Sequence, residues 1–482
     1  MYSKELGIIF FGNESNKKRQ LNKIEILKKN IKNLKIFLII AGTNTSQIPG
    51  ISAAGINAKS RRKTALADAE FLLEGASKDH KYKLPLLNAG VTPALISHVC
   101  SKLINIYPVI VPLGIGAKPY FNHLVVEDRN LGPSNCLTTG KSMTKERVLN
   151  LYEKGLAIGK SLKQPVLISE SVPGGTTTAQ AVMEAFGLQV SNLVGSSLFK
   201  APRELRRQVV KRGLFNANFK ADFDSFDVVA AVGDPFQAFS MGLLIGARLA
   251  KQPVILSGGS QMLAVILLVL ELLDEKNKDE FIDDVFIATT GWLVKDNSLN
   301  DLVNLINEKY DVKLLGLASP LNFESSKYKE LRDYELGHVK EGVGAGGISL
   351  LAFLDGFNAE PFASLDTNSF ENSDDDEPVS LDTKEEKYAS YFARIKHQIE
   401  RVWIYPSDAA RRGIIGDLSL TFRISKDGNL IGVQLIDQSG YEILDLAALK
   451  AVKEAAPFYP FPKNIKREKI TILANFVYSP PS

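Results

Sequence analysis

Residues 163–186 read KQPVLISESVPGGTTTAQAVMEAF. The run PVLIS is apolar on both faces and leads into a Ser/Gly turn, as a strand does when helices cover both of its sides. Gly174 and Gly175 then turn the chain, and a helical pattern starts near Thr176–Thr178. The same order returns at 251–272, KQPVILSGGSQMLAVILLVLEL: Lys-Gln-Pro, apolar strand, Ser/Gly turn, helix. Two such units predict a parallel α/β sheet, in which ligands bind beyond the carboxyl ends of the strands.

Outward from these units, five more apolar runs read as strands: LKIFLIIAG (34–42), YPVIVPLG (107–114), FDVVAAVG (226–233), DVFIATTG (284–291) and VKLLGLAS (312–319). Helical patterns of roughly ten to twenty residues separate many of them. The fold class is therefore α/β, a doubly wound, mostly parallel sheet with helices on both faces. MLAVILLVLELL (262–273) is too short to span a bilayer and reads as a buried helix.

The stretch NAEPFASLDTNSFENSDDDEPVSLDTKEEK (358–387) breaks the pattern. It holds ten acids against two lysines and lacks apolar periodicity, so it predicts a flexible linker. It separates a block at 1–357 from a block at 388–482. In the second block, YFARIKHQIERVW (391–403) and LDLAALKAVKEAA are amphipathic helices. DLSLTFRIS (417–425) alternates apolar and polar residues, KDG forms a hairpin turn into NLIGVQLIDQSG, and ITILANFVY is a last strand. This is a small α+β domain.

Composition narrows the function. The chain is 45% hydrophobic and 23% charged, as globular proteins are. Cys100 and Cys136 have no C-x-x-C spacing, and the five histidines (80, 98, 123, 338, 397) lie at no metal-ligand spacing. We expect no metal and no cofactor. The N-terminus has only a five-residue apolar run, shorter than the core of a secretory signal. The net charge of +4 becomes +12 outside the acidic stretch, which suits anionic small molecules. No Lys/Arg cluster is interleaved with aromatics, so nucleic acid is not an expected partner.

Three turns are candidates for one shared site. In PGGTTTAQ (173–180), Gly174 and Gly175 let backbone N–H groups approach a ligand, and Thr176 and Thr177 add hydroxyls at a helix start; this is a phosphate cradle or an ordinary capped turn. Ser257, Gly258 and Gly259 repeat the logic with less polar content, where close helix–strand packing is the simpler reading. In HVKEGVGAGG (338–347), Glu341 stands before a glycine run containing Gly342 and Gly344, with His338 three residues earlier as a helix-face neighbour. Lys200, Arg203, Arg206 and Arg207 share a basic helix, and Arg206 is the cation we assign to a phosphate.

Residues 34–356 resemble the nicotinate-nucleotide:dimethylbenzimidazole phosphoribosyltransferase (CobT) family, nearest its cyanobacterial and archaeal branch. AGTNTSQIPGISAAG (41–55), SVPGGTTTAQAV (171–182), AAVGDPFQAFSMGLLIGA (230–247), PVILSGGSQ (253–261) and HVKEGVGAGG carry the likeness. The resemblance implies a Rossmann-like fold, a cytoplasmic homodimer, and nicotinate mononucleotide and an aromatic base as substrates. It makes the Gly174–Thr177 turn the phosphate cradle and Glu341 the general base. This chain has Gly-Gly-Thr-Thr where the bacterial enzymes have Gly-Asn-Thr-Thr, and no residue-by-residue match to their acceptor pocket is found near the N-terminus. The last block is similar to the TonB C-terminal domain family. The match rests on Trp403-Ile404-Tyr405-Pro406, Gly440, Leu444-Asp445 and PFYPFP (457–462). That likeness implies a periplasmic module binding an extended transporter peptide by strand addition. The competing reading is a nucleotide-binding or scaffold protein with a vestigial enzyme site.

Overall fold

The computed structural model describes residues 7–12, 17–52, 58–77, 79–84, 90–195, 202–295, 297–357, 379–383, 385–437 and 439–478. The chain divides into two compact units, Met1–Leu365 and Asp366–Ser482.

In the first unit, seven strands form one sheet: β1 (Ile9–Phe11), β2 (Lys35–Ala41), β3 (Val109–Leu113), β4 (Val166–Ser171), β5 (Val254–Ser257), β6 (Val285–Thr290) and β7 (Leu315–Ser319). Their spatial order is β1-β7-β6-β5-β4-β2-β3. All neighbours are parallel except β1 and β7. β3 lies on one side of β2, while β4 to β7 extend on the other. The winding therefore reverses between β2 and β4, and the crevice outside their carboxyl ends is where open α/β sheets place ligands.

Six of the seven expected strands form where apolar, β-branched-rich segments can be covered on both faces. The seventh does not. FDVVAAVG is the helix Ser225–Val232. Its start is closed by a capping box, in which Asp224 accepts from the Asp227 N–H and Asp227 accepts from the Asp224 N–H. That local chemistry outweighs the apolar run, which by itself fits a strand or a buried helix equally. The antiparallel edge strand β1 comes from the short apolar run near the N-terminus.

The helix at Ser260–Leu272 is buried throughout Met262–Leu270. Among the described residues no helix is long and apolar enough to cross a membrane. Helices Lys145–Ser161 and Pro235–Leu249 pack with their backbones nearly touching. A Cβ on Gly155 would lie 2.2 Å from the Phe239 carbonyl oxygen, and one on Gly242 would lie 2.0 Å from that of Tyr152.

The second unit has a four-stranded sheet in the order β10-β9-β11-β8, with β8 Val379–Ser380, β9 Gly416–Ser425, β10 Leu430–Asp437 and β11 Lys469–Tyr478. Leu418, Leu420, Phe422 and Ile424 of β9 are buried, as the alternation predicts. They share one core with Tyr391, Phe392, Ile395 and Ile399 of the helix Glu386–Val402, and with Leu444, Ala448 and Val452 of the helix Glu442–Ala455. Residues 358–378 lie outside the described residues. The linker expected to run to 387 ends earlier, because Val379 and Ser380 pair in parallel with Ile472 and Leu473 of β11. The polar composition of 379–387 hid two residues able to complete a sheet edge.

Candidate active site

The three turns singled out in the sequence converge at the carboxyl ends of β4, β5 and β6. Glu341 follows the helix Lys329–Glu335 by an irregular turn. Its Oε2 accepts from the Thr289 hydroxyl and the Thr290 N–H, both at 2.8 Å. Its Oε1 accepts from the N–H groups of Gly342 and Gly346, at 3.1 and 3.0 Å. The turn is fixed by three further bonds. The Val343 N–H donates to the Glu170 carbonyl at 2.9 Å. The Ser97 hydroxyl donates to the Val343 carbonyl at 2.8 Å, and the Thr290 hydroxyl to the Lys340 carbonyl. Val339 and Val343 hold φ of 54° and 56°, a left-handed conformation that a β-branched residue adopts only under constraint. His338 is not a helix-face neighbour of Glu341, because the helix ends at Glu335 and a tight turn intervenes.

Glu341 is one of four acids gathered here. Asp68, Glu170 and Asp234 are the others. Burial raises the Glu341 carboxyl above the ordinary glutamate range, although its four donors pull the other way. Burial pushes Glu170 up to about 8, aided by the charges of Asp234, Glu341 and Asp68. Asp68 is raised to about 6 by burial, opposed by hydrogen bonds from Thr92 and Ser171. Burial also raises Asp234. Glu170 and Asp68 are thus brought close to neutrality, and clustered acids with raised values mark a candidate site for proton transfer. Glu170 and Glu341 are half-buried, whereas Asp68 and Asp234 are fully inside.

The helix starts complete the site. The helices Gly175–Ala185, Ser260–Leu272 and Ala345–Leu354 begin after Gly174, Gly259 and Gly344, and none has a side-chain cap. First-turn N–H groups left without side-chain partners carry the positive end of a helix dipole and suit an anion. In the third helix, Gly346 gives its N–H to Glu341 and Gly347 gives its N–H to the Ser257 hydroxyl. At the first two starts Gly175 and Thr177 give their N–H groups to the Val172 and Gly174 carbonyls and Met262 gives its to that of Gly259, which leaves those of Thr176, Ser260 and Gln261 as the candidates for an anion. These two starts lie side by side: a Cβ on Gly175 would sit 2.4 Å from Gln261 Nε2. Gly174 also abuts the β2 turn, at 2.9 Å from its virtual Cβ to the Ser46 nitrogen, so backbone from both sides of the switch point meets here.

The predicted residues divide accordingly. Gly174, Gly175 and half-buried Thr176 lie at the first start, and Gly258 and Gly259 at the second. Thr177 is inside, its hydroxyl among the buried groups without a partner. Ser257 holds Gly347, and Gly344 packs on Ser169, its virtual Cβ 2.9 Å from that side chain's Cβ. Arg206 is not a free cation. It is 1% exposed and donates to the carbonyls of Gly195 and Val194, at 2.6 and 2.8 Å. Burial lowers it to about 10, and Arg203 adds to the effect. The sequence shows the basic run but not which member turns inward. Lys200 lies outside the described residues.

Sequence reasoning missed Glu170, Asp68 and Asp234. The first had a readable signal, since an acid at the end of a strand covered on both faces, just before a Gly-Gly turn, is out of place unless used. Asp234 reads as a helix cap in GDPFQ, and it is one, with a capping box to Gln237. Its other oxygen accepts from Thr178, at 2.5 Å, and from Gln261, at 2.8 Å, so one carboxylate ties all three neighbouring helix starts together.

Residues 37–278, half of the chain, match a family model described as Phosphoribosyltransferase. Residues 403–480 match that of the Gram-negative bacterial TonB protein C-terminal. The chain belongs to the phosphoribosyltransferase family and carries a TonB C-terminal-like domain. A UPF0284 protein of Prochlorococcus marinus (strain AS9601) is 93% identical over 382 residues, covering 79% of this chain and 99% of that protein. Among solved structures, CobT from Thermus thermophilus is 17% identical with a TM-score of 0.48, over 71% of this chain and 90% of that one. The TonB C-terminal domain of Helicobacter pylori is 28% identical with a TM-score of 0.18, over 20% and 84%. The family match at 37–278 makes the first unit a transferase of the phosphoribosyl class.

Proposed function

We propose that the first unit moves phosphoribose from nicotinate mononucleotide to a ring nitrogen of a benzimidazole or purine base, the step that makes the lower-ligand nucleotide of cobalamin. One observation carries this reading: Glu341 is anchored beside two uncapped helix starts, so a proton acceptor and an anion cradle share one crevice. The phosphate lies against the Gly175 and Ser260 helix starts. The bond from C1′ of the ribose to the nicotinate nitrogen breaks, and nicotinate leaves with that electron pair. The incoming nitrogen bonds to C1′ and its proton passes to Glu341. Four donors fill the lone-pair positions of this carboxylate. The Thr289 hydroxyl is the one of the four that rotates, so turning it away opens the position on Oε2 at which the base's proton arrives. No metal or cofactor takes part in this scheme.

Incubation of the intact chain with nicotinate mononucleotide and a panel of bases, followed by chromatography of free nicotinate, tests the proposal. Release that depends on the added base is expected. Binding of the mononucleotide without release, for every base, would leave a nucleotide-binding scaffold instead.

The further assignments rest on the two family likenesses and, for the tether, on the acidic, unpatterned composition of the segment. The enzyme works as a homodimer, residues 358–378 tether the two units, and the C-terminal unit pairs an extended transporter peptide with a sheet edge, weakly and through its backbone.

A further inference from the structure

Asp68 lies on the helix Ala58–Glu74 and is 6% exposed. Its Oδ1 accepts from the Thr92 hydroxyl and its Oδ2 from the Ser171 hydroxyl, both at 2.8 Å. These partners come from separate segments, and each leads toward one of the acids of the site. Ser171 directly follows Glu170, whose carbonyl receives the Val343 N–H. Thr92 also accepts from the Ala94 N–H, which opens the helix Ala94–Ile104. From that helix the Ser97 hydroxyl reaches the Val343 carbonyl. Pro93, between them, faces Gly342, whose virtual Cβ would lie 3.6 Å from its Cγ. The hydrogen bonds and the chain between them thus close a ring that runs from Asp68 through Thr92 and Ser97 to Val343, then through Glu170 and Ser171 back to Asp68. Val343, in its left-handed conformation, is the strained member that the ring restrains.

We infer that Asp68 is a positioning residue of the transfer site: its buried carboxylate locks the turns bearing Glu170 and Glu341 in one relative geometry. The inference rests on the reaction proposed above. A fold alone has no need of such a group. A buried acid and two hydroxyls are replaceable by apolar side chains of similar size with little loss or a gain in stability. What apolar groups do not supply is direction, since each hydroxyl fixes the angle as well as the position of its segment. Among the described residues the charge of Asp68 acts on Glu170 and on the phenol of buried Tyr334, and Glu341 acts on the same two groups. Tyr334 braces the same segment, its hydroxyl donating to the Val91 carbonyl at 2.7 Å.

The test is steady-state turnover of the intact chain with nicotinate mononucleotide and its best base, alongside thermal melting and hydrogen exchange of the Val343 amide. Asp68→Ala should lower kcat by about 10- to 100-fold, the penalty of a small misplacement, with KM for the mononucleotide changed by less than about 2-fold. Ser171→Ala and Thr92→Val should each give part of that loss, and Asp68→Ala/Ser171→Ala should be no worse than Asp68→Ala. Asp68→Asn, which keeps size and an acceptor, should restore much of kcat. Val343 amide protection should fall in Asp68→Ala. Full turnover in folded Asp68→Ala, losses that multiply in the double variant, or unchanged Val343 protection would each overturn the inference. A wild-type chain that releases no nicotinate defeats the transfer reading itself, and the exchange measurement still judges the clamp.

Discussion

The helices that begin at Ser225 and Pro235 and those that begin at Gly175 and Ser260 lie in the same unit but start in opposite ways. The first pair is closed by the chain's own side chains: Asp224 with Asp227, and Asp234 with Gln237, form reciprocal capping boxes. The second pair begins after glycine and has no side-chain cap. A capped start finishes its own hydrogen bonding and serves the fold. The uncapped pair, at the carboxyl ends of β4 and β5, turns part of its first-turn N–H groups onto backbone carbonyls and leaves those of Thr176, Ser260 and Gln261 as candidates for an anion. Asp234 joins the two kinds, since it caps one helix with one oxygen and holds Thr178 and Gln261 of the uncapped pair with the other.

The largest effect should come from breaking that junction. Asp234→Ala removes a cap and strands the buried Gln261 amide, while the Thr178 hydroxyl keeps the Gly175 carbonyl, so it should cost about 2–4 kcal/mol of stability, read by denaturant unfolding. Asp234→Asn, which can keep the cap, should cost less. Equal losses for the two would show that the cap contributes little. The next effect belongs to the cradle. A side chain on Gly175 meets Gln261 directly, so Gly175→Val should displace that neighbour and weaken nicotinate mononucleotide binding by about 10-fold or more, or ~1.4 kcal/mol. Affinity for the base should stay close to normal. Calorimetry showing unchanged mononucleotide affinity would assign the turn to packing alone.

A smaller effect concerns charge. Glu170 is held at about 8, above its ordinary value of 4.5, so between those limits the folded chain binds a proton that the unfolded chain has lost. Stability should therefore fall as pH rises through that window. Glu170→Gln should flatten this part of the profile of melting temperature against pH; an unaltered slope would place the effect on other groups. The smallest effect is expected at the proposed tether. Proteolytic cleavage near Asp375 should leave the nicotinate release rate of the first unit unchanged, and loss of that activity would mean that the units depend on each other.

The contrast also explains what was legible in the sequence. Strands covered on both faces announce themselves as apolar runs, so β2 to β7 could be read directly, and with them the meeting of three glycine turns at their carboxyl ends. FDVVAAVG could not, because its helix is decided by Asp224 and Asp227 rather than by the apolar run. Glu341 stood out beside its glycines. Arg206 was misjudged because a basic run does not show which side chain turns inward to meet the Val194 and Gly195 carbonyls. Asp68 was invisible for a related reason: its two partners are 24 and 103 residues away, and only the folded chain brings them together.

The central claim is that Glu341 accepts the proton of the incoming base in a crevice whose helix starts hold the phosphate. Glu341→Gln tests it most directly, with nicotinate release and mononucleotide affinity measured on the same preparation. The glutamine keeps the size of the side chain and one carbonyl acceptor but is not a base at this pH. Turnover should fall by about 100-fold or more, with mononucleotide affinity nearly unchanged. Near-normal turnover in the folded variant would contradict the account.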